Sequence, residues 1–132
     1  MLILSKTLLD EMIEQCRREA PDEACGILAG KVSKIEKVYR MDNAEKGPAT
    51  FFMDPKEQFK AMKDIRQLGL EMIGIYHSHV ASQAYPSGHD VEMAFYPEAS
   101  YVIISLKNME SPQVRSFKIA EGEITEEEVR IV

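Results

Sequence analysis

EMIGIYHSHVASQAYPSGHDVEM, residues 71–93, changes character twice along its length. It opens with the nearly unbroken apolar run Met72 to Tyr76. A run with no polar alternation suits a strand covered on both faces, the kind found at the centre of a parallel or mixed sheet. From Val80 to Pro86 the composition turns to that of a loop. A helix-like pattern starts near Ser87 and reaches Phe95, and Pro97 marks its end. All three histidines of the chain, His77, His79 and His89, fall inside this strand–loop–helix unit.

Working outward from that unit, the flanks alternate between the two periodicities. MLIL opens as a short strand. From Ser5, a good N-cap, Leu8, Leu9, Met12, Ile13 and Cys16 recur on one helical stripe, and Pro21 closes it. EACGILAG (Glu23 to Gly30) reads as a strand, and KVSKIEKVYR suits its hairpin partner, with Val32, Ile35 and Val38 available to the core. MDNAEKGPAT is a loop by composition. Asp54, Pro55 and Glu57 then form a helix start. Phe59, Met62, Ile65 and Leu68 make its expected apolar stripe, and Gly69 is its C-terminal stop. SYVIISLK is a second buried strand, and QVRSFKI and EEEVRIV close the chain as strands. Interleaved strands and helices imply an α/β domain built on a mixed sheet.

The bulk numbers are consistent with one domain spanning residues 1–132: 132 residues, 45 % of them hydrophobic. The formal net charge of −6 disfavours nucleic acid as a partner, because such binding needs phosphate neutralisation by Lys and Arg. Neither a secretory leader nor a membrane span of ~20 apolar residues is legible, so the expected location is cytoplasmic. Cys16 and Cys25 have no zinc-ribbon spacing and read as buried thiols.

The chemistry concentrates in HSHVASQAYPSGHD. Side chains at i and i+2 of a strand share a face, so His77 and His79 converge while Ser78 points away. Two imidazoles on one face suit Zn²⁺, and a catalytic site wants a third protein ligand and one open position. Asp90 and His89 both qualify on chemistry. Ser87-Gly88-His89-Asp90 also has a purely structural reading as a capping box. The two readings are compatible, since a capped helix start is a rigid mount for a carboxylate.

His77-Ser78-His79, seven residues, Ser87, two residues, Asp90 resembles the HxH-x7-S-x2-D signature of JAMM metalloproteases, the catalytic branch of the MPN (Mov34/Pad1) family. Glu23-Ala24-Cys25-Gly26-Ile27-Leu28-Ala29-Gly30 is similar to that family's upstream E-x-C-G-x-L-x-G stretch. The resemblance implies a curved mixed sheet flanked by helices, like that of cytidine deaminases. It implies that His77, His79 and Asp90 hold one Zn²⁺ per chain, with water in the fourth position. Glu23 would be the general base, and Ser87 would help stabilise the oxyanion. Zinc ligation by Cys25, which shares a strand face with Glu23, would leave no open position.

The implied function is a zinc isopeptidase or peptidase of the short prokaryotic type. It would cut after the C-terminal Gly-Gly of a ubiquitin-like or sulfur-carrier protein, whose extended tail would lie beside a sheet edge. Two alternatives carry less of the pattern. RadC-like DNA-repair-associated domains share similar spacing but usually have asparagine between the histidines, where this chain has Ser78. Non-catalytic MPN scaffolds typically lose ligand residues, and this chain keeps all of them.

Overall fold

A computed structural model describes all 132 residues. The elements are β1 (Leu2–Leu4), α1 (Lys6–Glu19), β2 (Cys25–Lys31), β3 (Lys34–Met41), α2 (Pro55–Gln67), β4 (Glu71–His79), α3 (Gly88–Glu92), β5 (Ser100–Ser105), β6 (Gln113–Ala120), β7 (Glu123–Glu127) and β8 (Val129–Ile131). One mixed sheet orders them β7-β6-β5-β4-β2-β3-β1-β8. β4 runs parallel to β5 and antiparallel to β2, so the apolar run of residues 72–76 lies in the sheet interior, as its composition implies. Only Glu128 separates the two edge strands in sequence, and the sheet curves nearly into a barrel. No helix is long and apolar enough to cross a membrane.

The pleat divides the core in two. Ile27 of β2 and Ile75 of β4 pack with α2 through Ala61 and Ile65. Their neighbours Leu28 and Tyr76 pack with α1 through Leu9, Met12 and Cys16. Ser5 caps α1 by accepting from Leu8 N–H at 3.1 Å. Gly26 pairs with Tyr76 across the β2–β4 ladder, and the Tyr76 ring occupies the space that a Cβ at residue 26 would need. The same ring donates its hydroxyl to the buried Gln15 side chain on α1. Gly26→Ala is therefore expected to cost about 3 kcal/mol, measurable by urea unfolding, because neither ring nor backbone can yield cheaply.

Four local expectations are corrected. Val32 is not core: it sits 90 % exposed in the two-residue turn joining Lys31 to Lys34, with φ at +60°. A β-branched residue there is strained. Val32→Asn should stabilise by about 1 kcal/mol, seen as a higher denaturation midpoint. α2 packs through Ala61 and Ile65, leaving Phe59 72 % exposed and Met62 and Leu68 outside the core. Asp54 caps α2 as expected, but the Glu57 carboxylate accepts from Asp42 N–H and does not close a box. α3 stops at Glu92, before Phe95: Ala94 N–H bonds to the Val91 carbonyl and Phe95 N–H to that of Met93, which leaves the helical i to i−4 pattern.

Candidate metal centre

The geometry follows from the β2–β4 register. His77 pairs with Cys25, and Ser78 N–H donates to the Ala24 carbonyl at 3.0 Å. The middle serine of HSH faces away from the other two residues and is fully buried, and its Oγ accepts from Ala24 N–H at 2.8 Å. That double tie extends the ladder past the end of β2 and brings Glu23 into register with His79. Glu23 is clamped further by its own backbone. Its N–H donates to Gly47 and its carbonyl accepts from Asn43 Nδ2, at 2.8 and 3.0 Å.

His77, His79 and Asp90 meet in one buried cluster. His77 Nε2 lies 3.1 Å from His79 Nε2 and 3.2 Å from Asp90 Oδ2, and His79 Nε2 lies 3.0 Å from Asp90 Oδ2. The capping box aims the carboxylate: Ser87 N–H donates to Asp90 Oδ2 at 2.9 Å, and Asp90 N–H donates to Ser87 Oγ at 3.1 Å. Both readings of residues 87–90 thus describe one structure. His89 stays outside the cluster, with its Nε2 buried and unpartnered. Ser87 is exposed at the rim.

The donor set fits a metal ion. His79 Nδ1 lies 2.9 Å from the Gln83 carbonyl, which can only accept. The neutral ring therefore carries its proton on Nδ1 and presents a bare Nε2 to the Asp90 oxygen. Lone pairs facing one another at 3.0–3.2 Å repel unless a metal ion or a proton sits between them. Tetrahedral ligands about 2.0–2.1 Å from zinc stand roughly 3.3 Å apart, close to the edges of this triangle. The backbone bond to His79 is the outer support that metal-bound histidines usually have.

The electrostatics agree. Burial pushes the Glu23 carboxyl up to about 8, helped by Asp90 and opposed by His79, and its Oε1 has no hydrogen-bond partner. Burial also opposes ionisation of Asp90, but the hydrogen bonds from His77 and His79 win and hold it well below the usual carboxylate range. Burial pushes His77 below its ordinary value. His79 rises, because Asp90 and the Gln83 carbonyl outweigh burial. Cys25 is not part of the cluster. Its thiol contacts the Met41 carbonyl at 3.8 Å and is pushed up to about 12 by burial.

Three residues at the site had no signal in the sequence. Phe51 stacks on His77 with centroids 4.5 Å apart. Gln83 acts through its backbone carbonyl. Buried Asn43 ties Glu23 to the loop that carries Phe51, bonding Glu23, Thr50 and Phe52. Each lies in a loop, where composition says nothing about which atom turns inward. β4 is flanked on both sides, and the edges are β7 and β8.

A curved mixed sheet presenting a His–His–Asp triangle beside a buried glutamate is the arrangement of a hydrolytic metal centre. Residues 5–120 match the family model described as prokaryotic homologs of the JAB domain. The chain belongs to this family, the prokaryotic branch of the JAMM/MPN proteins. It is 38 % identical over 134 aligned positions to the CysO-cysteine peptidase of Mycobacterium tuberculosis, covering 100 % of this chain and 92 % of that protein. It is 34 % identical to a probable TtuB-protein conjugate cleaving protease of Thermus thermophilus, covering 93 % and 79 % of the two chains. The solution structure of protein DSY2949 from Desulfitobacterium hafniense superposes with a TM-score of 0.92 at 40 % identity, covering 100 % of this chain and 93 % of that one.

Proposed function

We propose that residues 1–132 work as a single JAMM/MPN metalloprotease domain. It is a zinc-dependent peptidase or isopeptidase that cuts the bond after the C-terminal Gly-Gly of a ubiquitin-like or sulfur-carrier protein. The observation that carries this reading is the buried His77–His79–Asp90 triangle, whose donor atoms converge at 3.0–3.2 Å. Similarity along most of the chain to proteins named CysO-cysteine peptidase and probable TtuB-protein conjugate cleaving protease supports the substrate class.

His77, His79 and Asp90 would hold the metal, and a zinc ion bound there would supply Lewis-acid polarisation of the scissile carbonyl and a water of lowered pKa, ~7. Glu23 accepts a proton from the attacking water and returns it to the departing amine. Its Oε1, buried and without a hydrogen-bond partner, is free to take that proton. The Ser87 hydroxyl accepts from Asp90 N–H and keeps its own proton to donate to the oxyanion.

The test is incubation with a sulfur-carrier protein from the same genome, extended beyond its terminal Gly-Gly. Product masses are read with and without a chelator. Cleavage after the second glycine that a chelator stops and zinc restores is the expected result. Uncut substrate with metal-replete enzyme overturns the reading.

A further inference from the structure

Glu23 precedes the first residue of β2, Cys25, so the regular pleat does not fix its side chain. Its Oε1 is buried and has no hydrogen-bond partner to aim it. What holds the residue is its backbone. Glu23 N–H donates to the Gly47 carbonyl at 2.8 Å, and its own carbonyl accepts from Asn43 Nδ2 at 3.0 Å. Both partners belong to the connection between β3 and α2, residues 42–54. Much of that connection is exposed, but Asn43 is only 3 % exposed. Every polar atom of its side chain is used. Nδ2 also donates to the Thr50 carbonyl at 3.1 Å, and Oδ1 accepts from the N–H groups of Glu45, Lys46 and Phe52 at 3.0, 3.3 and 3.0 Å. A buried polar group satisfied at every atom rigidifies what it joins.

We infer that Asn43 is a positioning residue for the reaction: it fixes where the Glu23 main chain stands, and so where the proton-accepting carboxylate points. This inference rests on the role proposed above for Glu23. Asn43 is not part of the metal cluster, so its effect on catalysis runs through Glu23 and not through the ligands. A reacting group misplaced by ~1 Å costs about 10²-fold in rate. The residue type matters. Aspartate has the same shape and can accept from the same three N–H groups, which favour its ionised form. It has no proton to give to the Glu23 and Thr50 carbonyls. That exchange therefore cuts the link to Glu23 while the turn after residue 43 keeps its acceptor.

The test is Asn43→Asp in metal-loaded protein, with a sulfur-carrier protein extended beyond its terminal Gly-Gly as substrate. Here kcat should fall about 10- to 100-fold, with KM within about twofold of wild type and one metal ion still bound per chain. A general loosening lowers kcat in any background, whereas a residue that acts through Glu23 has nothing left to position once that carboxylate is gone. Asn43→Asp added to Glu23→Gln should therefore change the residual kcat by less than about twofold. Amide hydrogen exchange gives a readout without turnover. In Asn43→Asp the Glu23 amide should exchange at least about tenfold faster than in wild type. The Leu106 amide, bonded to the His79 carbonyl at 2.9 Å, should keep its rate. If Asn43→Asp does not fold, Asn43→Ser, whose single hydroxyl cannot bond both carbonyls, is measured with the same expectations. Wild-type kcat in the variant, an equal loss in the Glu23→Gln background or an unchanged Glu23 amide overturns this proposal and leaves the proposed function standing. Full activity in Glu23→Gln overturns it together with the assignment of the base. A carrier left uncut by metal-replete wild type defeats the proposed function and this inference with it.

Discussion

Glu23→Gln is expected to lower kcat by roughly 10²- to 10⁴-fold while the protein still binds one metal ion per chain. The exchange keeps size and shape but removes the proton acceptor, and Glu23 is not among the residues that form the metal cluster. A second readout separates this role from a structural one. In metal-free protein the buried Glu23 carboxyl titrates near 8 and has an unpartnered oxygen. A carboxyl whose pKa is raised by folding costs nothing below the unfolded value of about 4.5. Its cost grows as pH rises from there through the folded pKa, and then levels off. Metal-free Glu23→Gln should therefore match metal-free wild type below pH 4.5 and exceed it by about 2 kcal/mol at pH 7. Denaturant titrations of the two proteins across pH 4–8 check this. A variant that keeps full activity removes Glu23 from the mechanism.

Removing the metal should lower the melting temperature by about 10–15 °C, the shift expected when a ligand at ~1,000 times its dissociation constant is taken from a domain of this size. His77→Ala should purify without metal, and adding a chelator should not move its melting temperature further. His89→Ala should bind metal as wild type does, because His89 lies outside the cluster. Affinity should also fall with acid. His79 holds its proton more tightly than an ordinary histidine because it faces Asp90, and the metal must displace that proton. Below pH ~6.5 the apparent affinity should drop about tenfold per unit, measured by competition with a zinc-sensitive dye. Wild-type metal content in His77→Ala would break the ligand assignment.

Much of this architecture is legible along the chain because local patterns and tertiary contacts agree. The run of residues 72–76 announces a central strand, and Ser5, Asp54 and Gly69 mark helix ends that the structure confirms. The misreadings share one cause. Val32, Phe59 and Leu68 are apolar at positions of suitable period, and period alone does not say whether anything packs on that face. Val32 falls in a turn, and α2 meets the sheet through Ala61 and Ile65. The fixed offsets of the strand and the capped helix start made the convergence of His77 and His79, and the orientation of Asp90, readable from spacing. The choice of Asp90 over His89 needed the family resemblance first, and then the capping box, which points the carboxylate inward.

By itself, then, the sequence determined which side chains could form a metal centre, because strand alternation and helix capping are local rules of the backbone. Only the tertiary structure decided what surrounds that centre. Pairing of β2 with β4 brings Glu23 into register with His79 from far along the chain. Loops whose composition encodes no direction supply Phe51, Asn43 and the Gln83 carbonyl. The apolar cavity beside the metal ligands exists only where residues 51–58 and 86–96 close over one face of the sheet.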